Sequence, residues 1–309
     1  MDSLGQTHIR LSQLLDTRFW LSRLPDNSRK QPGAGASGLH LTRLHGQSNE
    51  FDQMRDYQHG DDSRHIDWRA SARAGVVQTR LFHRERDRPV FIAVEQGPAM
   101  FFATTGNFKS VQAALTASLF AWAAHSVHDR VGGLVFDDQS ASLTAPARNQ
   151  QGALHLLHNI SQANSSLTSP FSDSQANPLQ HALKLCQTQL RPGTLLILVC
   201  SESHLDTATA GQLGALASRY QSIWLPISDP FEQHLPERQH LNLAGPQQLL
   251  QLRRTPRLVE RWQQQARRTR GLWKQLAMRH RATLLPLTTA SSLANQLTTL
   301  QEGLHVAGA

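Results

Sequence analysis

Val90-Phe91-Ile92-Ala93-Val94 and Leu195-Leu196-Ile197-Leu198-Val199-Cys200 decide the fold. Each is a continuous apolar run, the mark of a strand buried on both faces of a sheet. Helix 108–127 is expected after the first run, then strand 131–136, where Gly132-Gly133 allows close backbone approach. Helices 152–160 and 178–190 precede the second run. After it come helix 207–219, strand 222–227, helix 255–281, strand 283–287 and a last helix from Ser291. Strands alternating with helices predict an α/β fold: a doubly wound, mostly parallel sheet with helices on both faces. Segment 241–252, broken by Gly245-Pro246, reads as a small hairpin inserted before the long basic helix.

Upstream of this domain the pattern changes. Apolar residues at Ile9, Leu11, Leu14, Leu15, Phe19, Trp20 and Leu24 predict a short amphipathic helix, with a linker over 25–38. Residues 39–88 alternate short strands with turns and read as a β-rich subdomain. The expected organisation is therefore helix and linker over 1–38, β-rich subdomain over 39–88 and α/β domain over 89–309. A formal charge of +8 and a pI near 10.4 draw the chain towards acidic partners, nucleic acid or an anionic membrane surface. The two cysteines, Cys186 and Cys200, fall in stretches that read as buried, so a disulfide framework is not expected and a reducing cytoplasm is the default. Segment 111–127 carries Gln112, Thr116, Ser118 and His125, which suits a buried helix rather than a membrane span. No secretory leader is read in the first residues, and the expectation is a soluble protein.

Within the β-rich part, residues 50–73 crowd opposite charges together. Gly60-Asp61-Asp62 fits a tight turn, and beyond it Ile66 and Trp68 alternate with Asp67 and Arg69 in the manner of a strand. Arg55, Asp61, Asp62, Arg64, Asp67, Arg69 and Arg73 are placed for a bidentate ion-pair lattice, with Tyr57 and Trp68 beside them. The lattice reads first as a scaffold and second as a docking surface.

Ligands of an open parallel sheet bind beyond the carboxyl ends of its strands. Those ends carry Glu95-Gln96-Gly97-Pro98-Ala99 and Ser201-Glu202-Ser203, with Asn177 ahead of the helix at Pro178. No nucleophile elbow, zinc-protease helix, Cys-x-x-Cys or phosphate loop is present. Ser201 and Ser203 have no assignable base and suit helix capping before Thr207. His40, His45, His59, His65 and His83 read as surface or turn histidines ahead of a convergent metal site. The helix at 255–281 sets Arg257, Arg261, Arg267, Arg268, Arg270, Lys274, Arg279 and Arg281 against Glu260 alone. Its apolar stripe, including Trp262 and Trp273, is expected on the sheet, with the basic residues in solvent. An acidic protein or nucleic acid would be the partner of such a face.

Two segments together carry a family resemblance: Gly60-Asp61-Asp62-Ser63-Arg64-His65-Ile66-Asp67-Trp68-Arg69-Ala70-Ser71-Ala72-Arg73, and Asp129-Arg130-Val131-Gly132-Gly133-Leu134-Val135-Phe136. From about Gly38 onward the chain resembles the family catalogued as domain of unknown function fifty-eight. Its members are von Willebrand A-like proteins that often accompany MoxR-type AAA+ ATPases. The resemblance implies a von Willebrand A-like domain and a non-enzymatic adaptor or assembly factor, with a MoxR-type ATPase and a client protein as partners. Such domains commonly hold a divalent ion through an Asp-x-Ser-x-Ser loop, a threonine and a second aspartate. Here the matching positions are Glu95, Gly97, Ala99, Asn177 and Glu202, which implies a degenerate cleft and no cofactor. Residual magnesium or manganese binding by Glu95, Asn177, Glu202 and water is the alternative, as is nucleic-acid binding by the basic helix.

Overall fold

The chain divides into two compact units, a smaller one of residues 31–87 and a larger one built from residues 1–30 and 88–307. The structure, a computed structural model, describes residues 5–21, 45–58, 63–83, 88–172, 174, 176–238, 240–244 and 249–296. At the N-terminus, helices α1 (Leu11–Asp16) and α2 (Arg18–Leu21) replace the single helix expected from periodicity. The break is at buried Thr17, whose hydroxyl donates to the Leu14 carbonyl at 2.8 Å. That carbonyl also accepts from Ser118 Oγ at 2.7 Å and Trp122 Nε1 at 3.1 Å. Three side-chain donors thus converge on one carbonyl and tie the N-terminal segment into the larger unit's core.

In the smaller unit, β1 (His45–Asp56) pairs antiparallel with β2 (Gln78–His83). Between them lie a short 3-10 helix, Ser63–His65, and α3 (Trp68–Ala74). The strand expected from the alternation at 66–69 is a helix after a single bridge between Ile66 and Thr79. Asp67 is its N-cap, Oδ1 accepting from the N–H groups of Arg69 and Ala70 at 3.0 Å each. Gly75 closes it at φ 72°, donating to the Ser71 carbonyl at 2.9 Å. A capping aspartate before an alanine-rich segment outweighs four residues of alternation.

The larger unit runs through β3 (Pro89–Glu95), α4 (Lys109–Ser126), β4 (Arg130–Phe136), β5 (Ala141–Ala147), α5 (Gln150–Ser166), α6 (Pro178–Gln189) and β6 (Leu195–Ser201). It continues with α7 (Thr207–Ala217), β7 (Gln221–Ser228), α8 (Pro230–Gln233), β8 (His240–Ala244), β9 (Leu249–Arg253) and α9 (Pro256–His280). Strands β10 (Thr283–Leu284) and β11 (Leu287–Thr288) follow, both on β7. Sheet order is β10-β7-β6-β3-β4-β5, parallel except for β5. That antiparallel edge strand escapes sequence reading because it has no apolar run: Thr144 is its one buried residue. Its Pro146 is tolerated because an edge strand leaves one side of its backbone unpaired. Strands β8 and β9 form a separate antiparallel pair before α9.

Both faces of the sheet are covered. Val90, Ile92 and Val94 pack beneath α1, α4 and α5, while Phe91 and Ala93 pack beneath α6, α7 and α9. Several buried polar groups of α4 are bonded: Gln112 Nε2 donates to the carbonyls of Thr288 and Ser291 at 3.2 and 3.0 Å, and Thr116 Oγ1 donates to the Gln112 carbonyl at 2.7 Å, whereas Ser110 Oγ and Gln112 Oε1 have no hydrogen-bond partner among the described residues. Among the described residues no helix is long and apolar enough to cross a membrane.

Close approach of β4 to β3 depends on Gly133, where an added β-carbon would meet the Ile92 carbonyl oxygen at 2.2 Å. Gly133→Ala is expected to cost about 1–3 kcal/mol, the range for overpacking a tight interior. Urea titration would show this as a lower midpoint at unchanged slope; an unaltered midpoint would refute the steric argument.

Candidate functional site

The carboxyl ends of the adjacent parallel strands β3 and β6 bring Glu95 and Ser201 together. Glu95 is fully buried. Its Oε2 accepts the Ser201 N–H at 2.8 Å, and its Oε1 bonds His204 Nε2 at 2.8 Å. His204 is held from behind, since its carbonyl accepts from Asn177 Nδ2 at 2.8 Å. Asn177 in turn caps α6, Oδ1 accepting from Leu179 N at 3.0 Å. Lys109, the first residue of α4, reaches into the same region with a side chain only 1% exposed. Its ammonium donates to Glu232 Oε1 at 2.6 Å and to Ser201 Oγ at 3.2 Å. The other Glu232 oxygen accepts the Asp229 N–H at 2.8 Å as part of the capping box that opens α8.

The electrostatics follow from this packing. Burial opposes a charged Glu95, but the charge and hydrogen bond of His204, the Ser201 N–H and Lys109 outweigh it and hold the carboxyl below its ordinary range. Burial likewise opposes a charged His204, and Glu95 outweighs it, raising the imidazole above its ordinary value. Glu202 is different. Burial pushes it up, only partly offset by Arg270 and a hydrogen bond from Ser228. Glu95 and Glu232 thus face Lys109 and His204 in a largely buried cluster, and such pairing is the condition for keeping charges in an interior.

Of the positions singled out in sequence, Glu95 and Asn177 meet through His204, whereas Glu202 turns away to Arg270 Nε of α9 at 3.5 Å. Gly97 and Ala99 lie in the turn around the 3-10 helix Pro98–Met100 and supply no hydroxyl. Ser201 and Ser203 bond each other at 2.9 Å and do not cap α7; Asp206 does, accepting from Thr209 N at 2.8 Å. Lys109, His204 and Glu232 were not singled out. The one signal was a lysine opening a helix whose next residues are all buried. Among the described residues no cluster of three or more His, Cys, Asp or Glu is arranged to hold a metal ion.

In the smaller unit Tyr57 N donates to the Val77 carbonyl at 2.7 Å. Arg64, in the 3-10 helix, is exposed, as are Arg69 and Arg73, and Trp68 is 69% exposed. Part of the expected lattice lies outside the described residues, which exclude Asp61, Asp62 and the Arg55 side chain, as well as Gly60 of the turn. Of its remaining members, Asp67 is engaged in capping, while Arg69 and Arg73 stand in solvent. The side chains of His40, His45, His59, His65 and His83 also lie outside the described residues. On α9 the basic residues are exposed except Arg270, which is half-buried against Glu202.

The family described as "Protein of unknown function DUF58" matches residues 53–282. The chain belongs to this family. No curated protein matches this DUF58 chain. It is similar to the conserved hypothetical protein BatB from Bacteroides thetaiotaomicron, at 14% identity and TM-score 0.45, over 71% of this chain and 98% of that one. An aerotolerance-related membrane protein from Bacteroides fragilis is similar at 12% identity and TM-score 0.39, over 71% and 99%. A variant of the PilB minor pilin from Streptococcus sanguinis is similar at 8% identity and TM-score 0.42, over 76% and 65%.

The buried cluster should set the pH dependence of stability in this DUF58 protein. The His204 contribution is full below the ordinary histidine value of 6.5 and is lost as pH rises through the raised folded value. The Glu95 contribution is full above 4.5 and is lost as pH falls through the lowered folded value. His204→Gln should flatten the alkaline limb of melting temperature against pH; a retained limb would assign it elsewhere. Lys109→Met should cost towards the lower end of about 3–5 kcal/mol, because Glu232 keeps some contact with water. Calorimetry at neutral pH checks this, and a neutral effect would mean that the pair is not stabilising.

Proposed function

We propose that this DUF58 protein is a non-enzymatic adaptor or assembly factor of von Willebrand A-like type, with a MoxR-type AAA+ ATPase and a client protein as partners. The observation that carries this reading is the self-neutralised cluster at the end of the sheet. Where related architectures would place a divalent ion, this chain sets Lys109 and His204 against Glu95, with both carboxylate oxygens already engaged. A buried ammonium beside the carboxylate supplies positive charge from within the chain and repels an added cation. We read the cleft as a degenerate metal site on these grounds.

Nucleophilic chemistry finds no support either. Ser201 is fully buried, and its neighbour Lys109 donates to the Ser201 hydroxyl and to Glu232 rather than accepting from the hydroxyl. Burial pushes the Cys186 thiol up to about 12 and Cys200 well above its ordinary value, so neither offers a thiolate.

Affinity purification of the tagged protein from its native cells, with and without a slowly hydrolysed ATP analogue, tests the reading. A stoichiometric AAA+ ATPase is expected by mass spectrometry, and its absence under both conditions would overturn the proposal. Melting temperature should be indifferent to magnesium and manganese. A metal-dependent rise abolished by Glu95→Ala would instead make the protein a metal-dependent binder, since ligand at about a hundred times its Kd adds about 2.7 kcal/mol.

A further inference from the structure

Helix α9 has two faces of opposite chemistry. Trp273 and Ala277 are buried on the sheet side, and Arg270 turns inward to Glu202. On the outer side Arg257, Arg261, Arg268 and Arg279 are all exposed. At 3.6 residues per turn these positions fall within about 40° of one another, forming one stripe about 33 Å long. Arg267 and Lys274, also exposed, make an adjoining row. The helix holds seven basic residues and a single acid, Glu260, so most of the chain's net charge of +8 is concentrated here. Like charges at helical neighbour spacing repel each other, and an anionic counterpart laid along the stripe would relieve that repulsion.

We propose that this stripe is the docking surface for an acidic segment of a partner protein. The inference rests on the adaptor reading and names the surface that serves it. Two observations favour a protein over a nucleic acid. The tryptophans of α9 face inward, Trp273 Nε1 donating to the Glu202 carbonyl and Trp262 Nε1 to the Phe231 carbonyl at 3.0 Å each, so the stripe offers no platform for stacking bases. Beside the second row, Met278 is 81% exposed and supplies an adaptable apolar contact within a basic surface. Arginine and methionine are among the residues enriched where proteins meet proteins. Insertion into a membrane is disfavoured because the apolar face of the helix is the one packed on the sheet.

The test compares the full chain with R261E/R268E and with K184E/R191E, which makes the same charge change at exposed positions away from α9. Fluorescent poly-L-glutamate is the probe, and association is followed by stopped flow at low and high salt. R261E/R268E should slow association about tenfold or more, the scale of electrostatic steering, while K184E/R191E should not. The milder R261Q/R268Q should show the same direction and guards against misfolding of the reversal. Equal loss in both reversed variants would reduce the effect to net charge and overturn the proposal. Tighter binding of a DNA duplex or of phosphatidylserine vesicles, with the same dependence on Arg261 and Arg268, would overturn the choice of a protein partner. Undiminished capture of an AAA+ ATPase by R261E/R268E would reject the stripe but keep the adaptor reading. Stripe-dependent polyglutamate binding without any ATPase on the wild type would do the reverse.

Discussion

A carboxylate with no exposure to water stands at the end of the central strand, and the larger unit is arranged around keeping Glu95 ionised there. Its neutralisation draws on His204 after β6, the backbone of Ser201 and the ammonium of Lys109 from the start of α4. Because Lys109 also engages Glu232, the same cluster anchors the capping box of α8. Removing one member leaves another charge buried without compensation, which is far costlier than the loss of an exposed pair. The cluster therefore ties together three connections that run over the carboxyl edge of the sheet.

A second polar chain performs a similar role from the next residue, Gln96. Gln96 donates from Nε2 to the Ser110 carbonyl and accepts from Asn164 Nδ2, and Asn164 Oδ1 accepts from Ile9 N at 2.8 Å. Strand end, α4, α5 and the N-terminal segment are joined by side-chain amides whose principal donors and acceptors are satisfied, the condition for burying them. The N-terminal helices thereby belong to the same packed unit as α4, where the sequence pattern gave only a helix and linker over 1–38. At the carboxyl edge of the sheet both Glu95 oxygens and the Lys109 ammonium are engaged by the chain itself, while the outer face of α9 presents Arg257, Arg261, Arg268 and Arg279 to solvent.

The parallel sheet was legible because its strands are uninterrupted apolar runs, as in Val90–Val94, with alternate residues serving two cores. Helix α9 was legible for the complementary reason: its tryptophans and all its arginines but Arg270 separate at a period of 3.6. Edge strand β5 was not, because one buried residue in seven carries no periodic signal. Nor was α3, where Asp67 fits equally a polar position in a strand and a helix cap until its backbone partners are known.

By itself the sequence determined the fold class, the sequential order of the parallel strands and of the helices between them, the amphipathic division of α9 and the absence of a hydroxyl at Gly97 and Ala99. Those features depend on local composition and period, which a chain carries without folding. Tertiary structure alone decided that Lys109 and His204 neutralise Glu95, that Glu202 belongs to Arg270, and that Arg69 and Arg73 stand in solvent. The groups of the Glu95 cluster lie from 14 to more than 100 residues apart in sequence, Lys109 and Glu232 by 123 and Glu95 and His204 by 109. Their pairing follows from burial and distance, and neither quantity exists until the strands that carry them are laid side by side.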